Sequence, residues 1–193
     1  MKIIIFLMLA MINFGNSVII AHRGSSGKYP ENTIEAFNSA KDYADYLEQD
    51  LQLSKDGKLI VFHDKILDNV TNVKEIFPKN RARKDGKYYV IDFTLEELKK
   101  LKVSNRYFIF SVIKMKEFKN RKYDTEQSDK IASFEEVLDL VEKYNQGSNR
   151  KIGIYPELKD VWFYKKEGVD ITKKLFDVLD KYDYPDKQNQ IFI

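Results

Sequence analysis

The sequence predicts an α/β fold built on a mostly parallel sheet, and two observations predict it. Short apolar runs of strand length alternate with segments of helical spacing, the order that parallel strands and crossover helices require. The two histidines of this 193-residue chain each directly follow such a run, where parallel α/β folds gather their functional groups. Composition narrows the field further. With 43% hydrophobic and 33% charged residues, the chain suits a globular body with a sizeable core, not a disordered tail or a multi-span membrane protein. A formal charge of +3 speaks against nucleic acid as a partner. The absence of cysteine removes a disulfide scaffold, a Cys-ligated zinc site, a thiol nucleophile and a Cys-anchored lipoprotein.

The elements follow in chain order. Residues 1–17 begin with Lys2 and an apolar run from Ile3 to Phe14, the pattern of a secretory leader, and the run is too short to span a bilayer. An exported protein is therefore expected, with its domain over residues 18–193. Val18–Ala21 is a β-branched strand. Thr33 to Ala44 has helical spacing, opened by Asn32 or Thr33 as a cap with Glu31 near its positive end. Tyr46 to Leu53 alternates, with Leu47, Leu51 and Leu53 on one side and Glu48, Asp50 and Gln52 on the other. Lys55-Asp56-Gly57 is a tight turn, and Lys58–Phe62 the next strand. Ile66 to Phe93 is polar and reads as an excursion. Thr94-Leu-Glu-Glu97 and Ser133-Phe-Glu-Glu136 are capping boxes that open helices to about Leu101 and Tyr144. Asn105 to Lys130 reads as irregular, solvated chain. Lys151–Lys159 is a strand, Asp170 to Tyr182 a helix, and Gln190–Ile193 the start of another strand.

The chemistry gathers at the strand ends. His22 follows the first strand and His63 follows Lys58–Phe62. On neighbouring strands, two such groups can serve as acid and base on opposite sides of one reacting centre. Glu48 and Asp50, two apart on a strand, share a face and repel unless something positive lies between them. Glu157 ends a third strand, beside Tyr155 and Lys159. Three carboxylates with no further histidine suit one hard, oxygen-liganded divalent ion, Ca²⁺ or Mg²⁺, rather than zinc. Arg23 and Lys159 add a fork and a point charge for phosphate oxygens. This set suits phosphoryl transfer, and no phosphate-cradling Gly-rich loop of the nucleotide-binding type accompanies it.

Five ordered motifs carry a resemblance: Ala21-His22-Arg23-Gly24, Pro30-Glu31-Asn32-Thr33, Glu48-Gln49-Asp50, Phe62-His63-Asp64 and Tyr155-Pro156-Glu157-Leu158-Lys159. Together they resemble the glycerophosphodiester phosphodiesterases of the periplasmic or secreted bacterial type. The resemblance runs from Val18 to the last residue, and Arg83 to Thr94 is similar to that type's insertion. It implies a (β/α)₈ TIM barrel with its site at the C-terminal strand ends. It further implies His22 and His63 as the acid/base pair, and Glu48, Asp50 and Glu157 as ligands of one divalent cation, Ca²⁺ in preference to Mg²⁺. Arg23 and Lys159 would hold the phosphate. The implied substrate is a small glycerophosphodiester, split to glycerol 3-phosphate and an alcohol through a cyclic phosphate that water opens. Such a barrel typically needs about 250 residues. The candidate strands are five: Val18–Ala21, Tyr46–Leu53, Lys58–Phe62, Lys151–Lys159 and Gln190–Ile193. The barrel is therefore expected to be incomplete, with about five of eight strands and an uncovered apolar edge. An inactive truncated remnant and a phospholipase D-like relative on the same barrel are the alternative readings. The Pro-Glu-Asn-Thr motif and the insertion favour the first family.

Overall fold

A computed structural model describes residues 17–104, 107–110, 113–116, 130–184, 187 and 191. The leader expected over residues 1–17 lies, except for Ser17, outside them. No helix among the described residues is long and apolar enough to cross a membrane.

The strand β2 (Tyr46–Leu53) organises the sheet. Its alternation works as expected, since Leu47, Leu51 and Leu53 are buried in the main core. They pack there with Phe37 of the helix α1 (Ile34–Ala40). Two short helices, α2 (Val73–Ile76) and α3 (Leu95–Leu98), and the strand pair β4 (Tyr107–Phe110) and β5 (Ile113–Lys116) lie in the middle of the chain. The strand β6 (Ala132–Ser133) leads into the helix α4 (Phe134–Gly147), whose Phe134, Val137, Leu138 and Val141 complete the layer under the leucines. The strand β7 (Gly153–Leu158) is followed by α5 (Val161–Lys166) and α6 (Ile171–Lys181). Three helix starts behave as their sequences require. Thr33 caps α1, and Thr94 and Ser133 form complete capping boxes on α3 and α4.

The pairing confirms part of the parallel sheet and corrects part of it. The strand β1 (Ile20–Ala21) runs parallel to β2, with Ile20 opposite Tyr46 and Ala21 opposite Leu47. Strand β7 also runs parallel to β2, from Tyr46↔Gly153 to Leu51↔Leu158. Ile191 bridges Ile154 in parallel, where the last strand was expected, and its flanking residues lie outside the described set. The strand β3 (Leu59–Val61), expected to be parallel, is antiparallel to β2, with Leu51 opposite Val61 and Leu53 opposite Leu59. The reason is length. Parallel strands need a crossover of a dozen or more residues, and the Lys55-Asp56-Gly57 turn allows only a hairpin. Gly57 adopts φ +73° there, and Ser54 and Lys58 close the turn.

Further differences lie in the pairing and in the packing. β6 adds to β3 as a fifth strand, with Ile60 opposite Ser133 and Val61 opposite Ala132. The Val161-Trp-Phe-Tyr164 run, poor in helix formers, is helical because Phe163 and Tyr164 are buried. Within Asn105 to Lys130, where irregular chain is expected, β4 and β5 form an antiparallel pair. The polar-looking excursion also has a core of its own, where Leu67, Val70, Val73, Tyr88, Val90 and Phe93 pack against Ile60 and Phe62. On the far edge of β1 no strand pairs among the described residues, and Val18, Ile19 and Ile20 are exposed. This is the uncovered apolar edge expected of a partial barrel.

Candidate active site

A strand has two edges, and the register of β2 shows how each is used. β7 follows one edge through Tyr46 to Leu51. Leu51 also pairs with Val61, and Tyr46 and Leu47 also pair with β1, so β1 and β3 share the other edge. They meet there end to end. β1 finishes opposite Leu47 and β3 finishes opposite Leu51, with the Phe62 N–H donating to the Asp50 carbonyl at 2.9 Å. The gap between them is the stretch that carries Glu48 and Asp50. His22 and His63 thus do not follow strands paired side by side, since β1 and β3 each pair with β2 and lie end to end along one of its edges. They leave two strand ends that point at one another across the carboxylates. His22 is exposed and His63 half-buried.

The turn after β1 is tightly determined. Arg23 takes φ +59° and Gly24 φ +76°. A Cβ on Gly24 would lie 2.6 Å from the backbone carbon of Ala36, so only glycine lets this turn rest on α1. The strained Arg23 backbone N–H donates to Glu48 Oε2 at 2.7 Å, consistent with strain gathering at functional sites. The Arg23 guanidinium donates through Nη1 to Glu31 Oε1 at 3.0 Å. Its Nε lies 2.9 Å from Asp50 Oδ2 but makes no hydrogen bond. The N–H does not point along that line, so this is a contact of charges. Asn32, at φ +60°, does not cap the helix but reaches Asp50 twice. Its Nδ2 donates to Asp50 Oδ2 at 2.8 Å, and its Oδ1 accepts the Asp50 N–H at 3.3 Å.

The expected carboxylates converge. In register, Asp50 lies opposite Glu157 and Glu48 opposite Tyr155. One oxygen from each of Glu48, Asp50 and Glu157 lies within 4.8 Å of the others. Glu48 and Asp50 are buried, at 4% and 0% exposure, while the Glu157 side chain is half exposed. Burial, followed by the Asp50 charge, pushes the Glu48 carboxyl up to about 7, although the Arg23 N–H opposes the rise. Lys159 Nζ is 2.7 Å from Glu157 Oε1 and 3.6 Å from Asp50 Oδ1. Burial works against its charge, but Glu157 and Asp50 outweigh that and hold its pKa above the ordinary value. Among the described residues, the buried oxygens Glu48 Oε1 and Asp50 Oδ1 accept no hydrogen bond. Buried anionic oxygens without donors are costly, and these two point to a cation. An all-oxygen donor set of this kind fits a hard divalent ion.

His63 and Lys159 line one open cleft of about 370 Å³, together with Asp64, Lys65, Ile66 and Asp160. His63 Nδ1 is 2.5 Å from Asp64 Oδ1. A roomier hollow of about 770 Å³ on α1 and α4 is lined by Lys41, Asp42, Asp139 and Lys143 and holds none of these groups. Sequence reasoning left out Asp64, Asn32 as an Asp50 partner, and Glu31 as the partner of Arg23. Their signal was present in the second and fourth motifs.

The family model for the glycerophosphoryl diester phosphodiesterase family matches residues 22–193. A glycerophosphodiester phosphodiesterase of Haemophilus influenzae is 40% identical over 179 residues, 92% of this chain and 49% of the relative. One from Treponema pallidum is 39% identical over 177 residues, 91% of this chain and 49% of the relative. The chain thus spans about half the length of these curated relatives. Among solved structures, an Oleispira antarctica phosphodiesterase in complex with the product sn-glycerol-3-phosphate aligns with TM-score 0.58 and 25% identity, over 86% of this chain and 53% of that one. A putative glycerophosphoryl diester phosphodiesterase of Silicibacter pomeroyi aligns with TM-score 0.64 and 21% identity, over 91% and 57%, and supports the barrel fold alone.

Proposed function

The chain belongs to the glycerophosphoryl diester phosphodiesterase family, and on that premise we propose that its site hydrolyses small glycerophosphodiesters to an alcohol and glycerol 3-phosphate. One observation carries the reading. The two histidine-bearing strand ends meet at a gap filled by carboxylates whose buried oxygens accept no hydrogen bond.

Glu48, Asp50 and Glu157 would hold a divalent cation. Ca²⁺ is preferred to Mg²⁺ because the half-exposed Glu157 leaves an adaptable site, and Ca²⁺ tolerates irregular geometry better. A cation there supplies charge against the negative charge that builds on the phosphoryl oxygens. Arg23, fixed by Glu31 and Asp50, and Lys159, held beside Glu157, supply positive charge for the phosphate from the protein side. His22 and His63 stand on opposite sides of the gap. One takes the proton of the attacking glycerol hydroxyl, and the other gives a proton to the leaving alcohol oxygen. The same pair, with roles exchanged, serves the opening of the cyclic phosphate by water.

The test uses the full chain with glycerophosphocholine. Release of glycerol 3-phosphate is expected with Ca²⁺ and to stop in chelator. His22→Ala and His63→Ala should each lower it by about 10²–10⁴-fold. Undiminished release in chelator would sink the metal assignment, and no release with either ion would sink the activity.

A further inference from the structure

The most connected buried polar side chain beside the site is one that the proposed mechanism leaves unused. Gln52 is fully buried, two residues beyond Asp50 on the same side of β2. Its Nε2 donates to the His63 carbonyl oxygen at 2.8 Å and to Asp160 Oδ2 at 3.3 Å. Its Oε1 accepts the Tyr164 hydroxyl at 2.5 Å, and the Tyr164 oxygen accepts the Leu53 N–H at 2.9 Å. Asp160 holds a left-handed backbone at φ +50°, directly after Lys159, and its other oxygen accepts from Lys65 Nζ at 2.9 Å. One amide therefore ties together the strand of the carboxylates, the His63 turn, the corner after Lys159 and the helix α5.

We propose that Gln52 is a positioning residue, which holds the His63 turn and the Lys159–Asp160 corner at a fixed height against the carboxylates of β2. The inference rests on the role proposed above for His63. The chemistry of the amide supports it. A residue needed only to fill space there would be apolar, because a buried amide is tolerated only when its donors and acceptor are met. Here both donor contacts go to the segments that carry His63 and Lys159, and the acceptor contact goes to the helix behind them. The His63–Asp64 contact can set the ring within its own turn, but not the distance of that turn from β2. Beyond the β3 ladder, which ends at Val61, the Phe62 N–H to Asp50 carbonyl bond and the Gln52 amide are the contacts described between this turn and β2. Tyr164 is the second half of the device. Burial raises its phenol above the ordinary value, so it stays a hydroxyl donor to Gln52.

The test uses the full chain with ¹⁵N-labelled histidine. With two histidines in the sequence, His22→Ala assigns each ring signal. Gln52→Leu, close in volume, should move the His63 ring signals at fixed pH and leave those of His22 in place. It should also lower kcat for glycerol 3-phosphate release roughly tenfold to a hundredfold, with KM within about threefold. Tyr164→Phe should shift the same signals by less, and it decides the matter if Gln52→Leu does not fold. Unmoved His63 signals in a folded variant would overturn the proposal. So would equal movement of both histidines, which marks general loosening, or a raised KM with kcat intact. If the unmodified chain turns over no substrate, the functional reading falls, and the histidine signals still decide the positioning.

Discussion

Two places in the molecule gather acids around an arginine, and they do so in opposite ways. Arg83 is fully matched. It forks onto Asp92 at 2.7 and 2.8 Å and onto Glu167 at 2.6 and 3.1 Å, with its guanidinium 4.4 Å from the centre of the Tyr89 ring. Hydrogen bonds to Asp92, then Glu167, raise its pKa further above an already high value. Nearby, Arg81 pairs with Glu97 and, through that bond first, holds the Glu97 carboxyl down at about 2. Arg23 is outnumbered. Glu48, Asp50 and Glu157 converge beside it, two buried oxygens stay without donors, and Glu48 is pushed up to about 7. Acid oxygens that all find donors tie the excursion to the end of α5, whereas acid oxygens left without them leave a place for a ligand.

The sharpest break comes from the groups proposed to react. His63→Ala should lower turnover by about 10²–10⁴-fold with little change in melting temperature, because the side chain is half-buried and lines a cleft. Glu48→Gln should cost about 10²–10³-fold in turnover and yet raise the melting temperature of the ion-free protein, since it removes a buried negative charge beside Asp50. A fall in that temperature would mean that the site is charge-balanced after all. Saturating Ca²⁺ should stabilise the protein by about 2.7 kcal/mol at a hundred times Kd, roughly 5–10 °C for a chain of this size. Glu48→Gln should abolish most of that shift and Arg83→Met none of it.

The matched side gives smaller effects of the opposite kind. Arg83→Met should lower stability by about 1–2 kcal/mol and leave turnover within about twofold, as read by thermal melts and the release assay. For Glu97, the folded pKa lies below the unfolded value of 4.5. Its stabilisation is therefore complete above pH 4.5 and is lost as pH falls toward 2. Arg81→Met should flatten the decline in melting temperature between pH 5 and 3, and an unchanged slope would detach Glu97 from that decline.

Much of this was legible in the sequence for physical reasons. The two-residue period put Glu48 and Asp50 on one face and the leucines on the other, and burial enforces that split. The capping boxes at Thr94 and Ser133 are local chemistry, and they hold. What failed were choices made by partners distant in sequence. The Lys55-Asp56-Gly57 turn was visible, but its consequence for the direction of Lys58–Phe62 depends on pairing. Asn32 competes for two jobs, and Asp50, eighteen residues on, wins it from the helix. For Val161 to Tyr164 the sequence predicts no element, and burial of Phe163 and Tyr164 supports a helix there. The links of Gln52 to Asp160 and Tyr164, more than a hundred residues away, leave no local trace at all.

The pairing of β3 with β6 has a consequence for how this protein can change over evolutionary time. Ile60 and Val61 lie beside Ser133 and Ala132, so the chain leaves and re-enters the sheet through one doorway. The sequence between them, residues 62–131, is enclosed by that pairing, and flexible chain inserted there adds a closure cost that grows only as the logarithm of its length, about 0.6 kcal/mol per doubling. Past the His63 turn, an exposed turn such as Lys84-Asp85-Gly86 can therefore take an insertion while the register of β2 stays put.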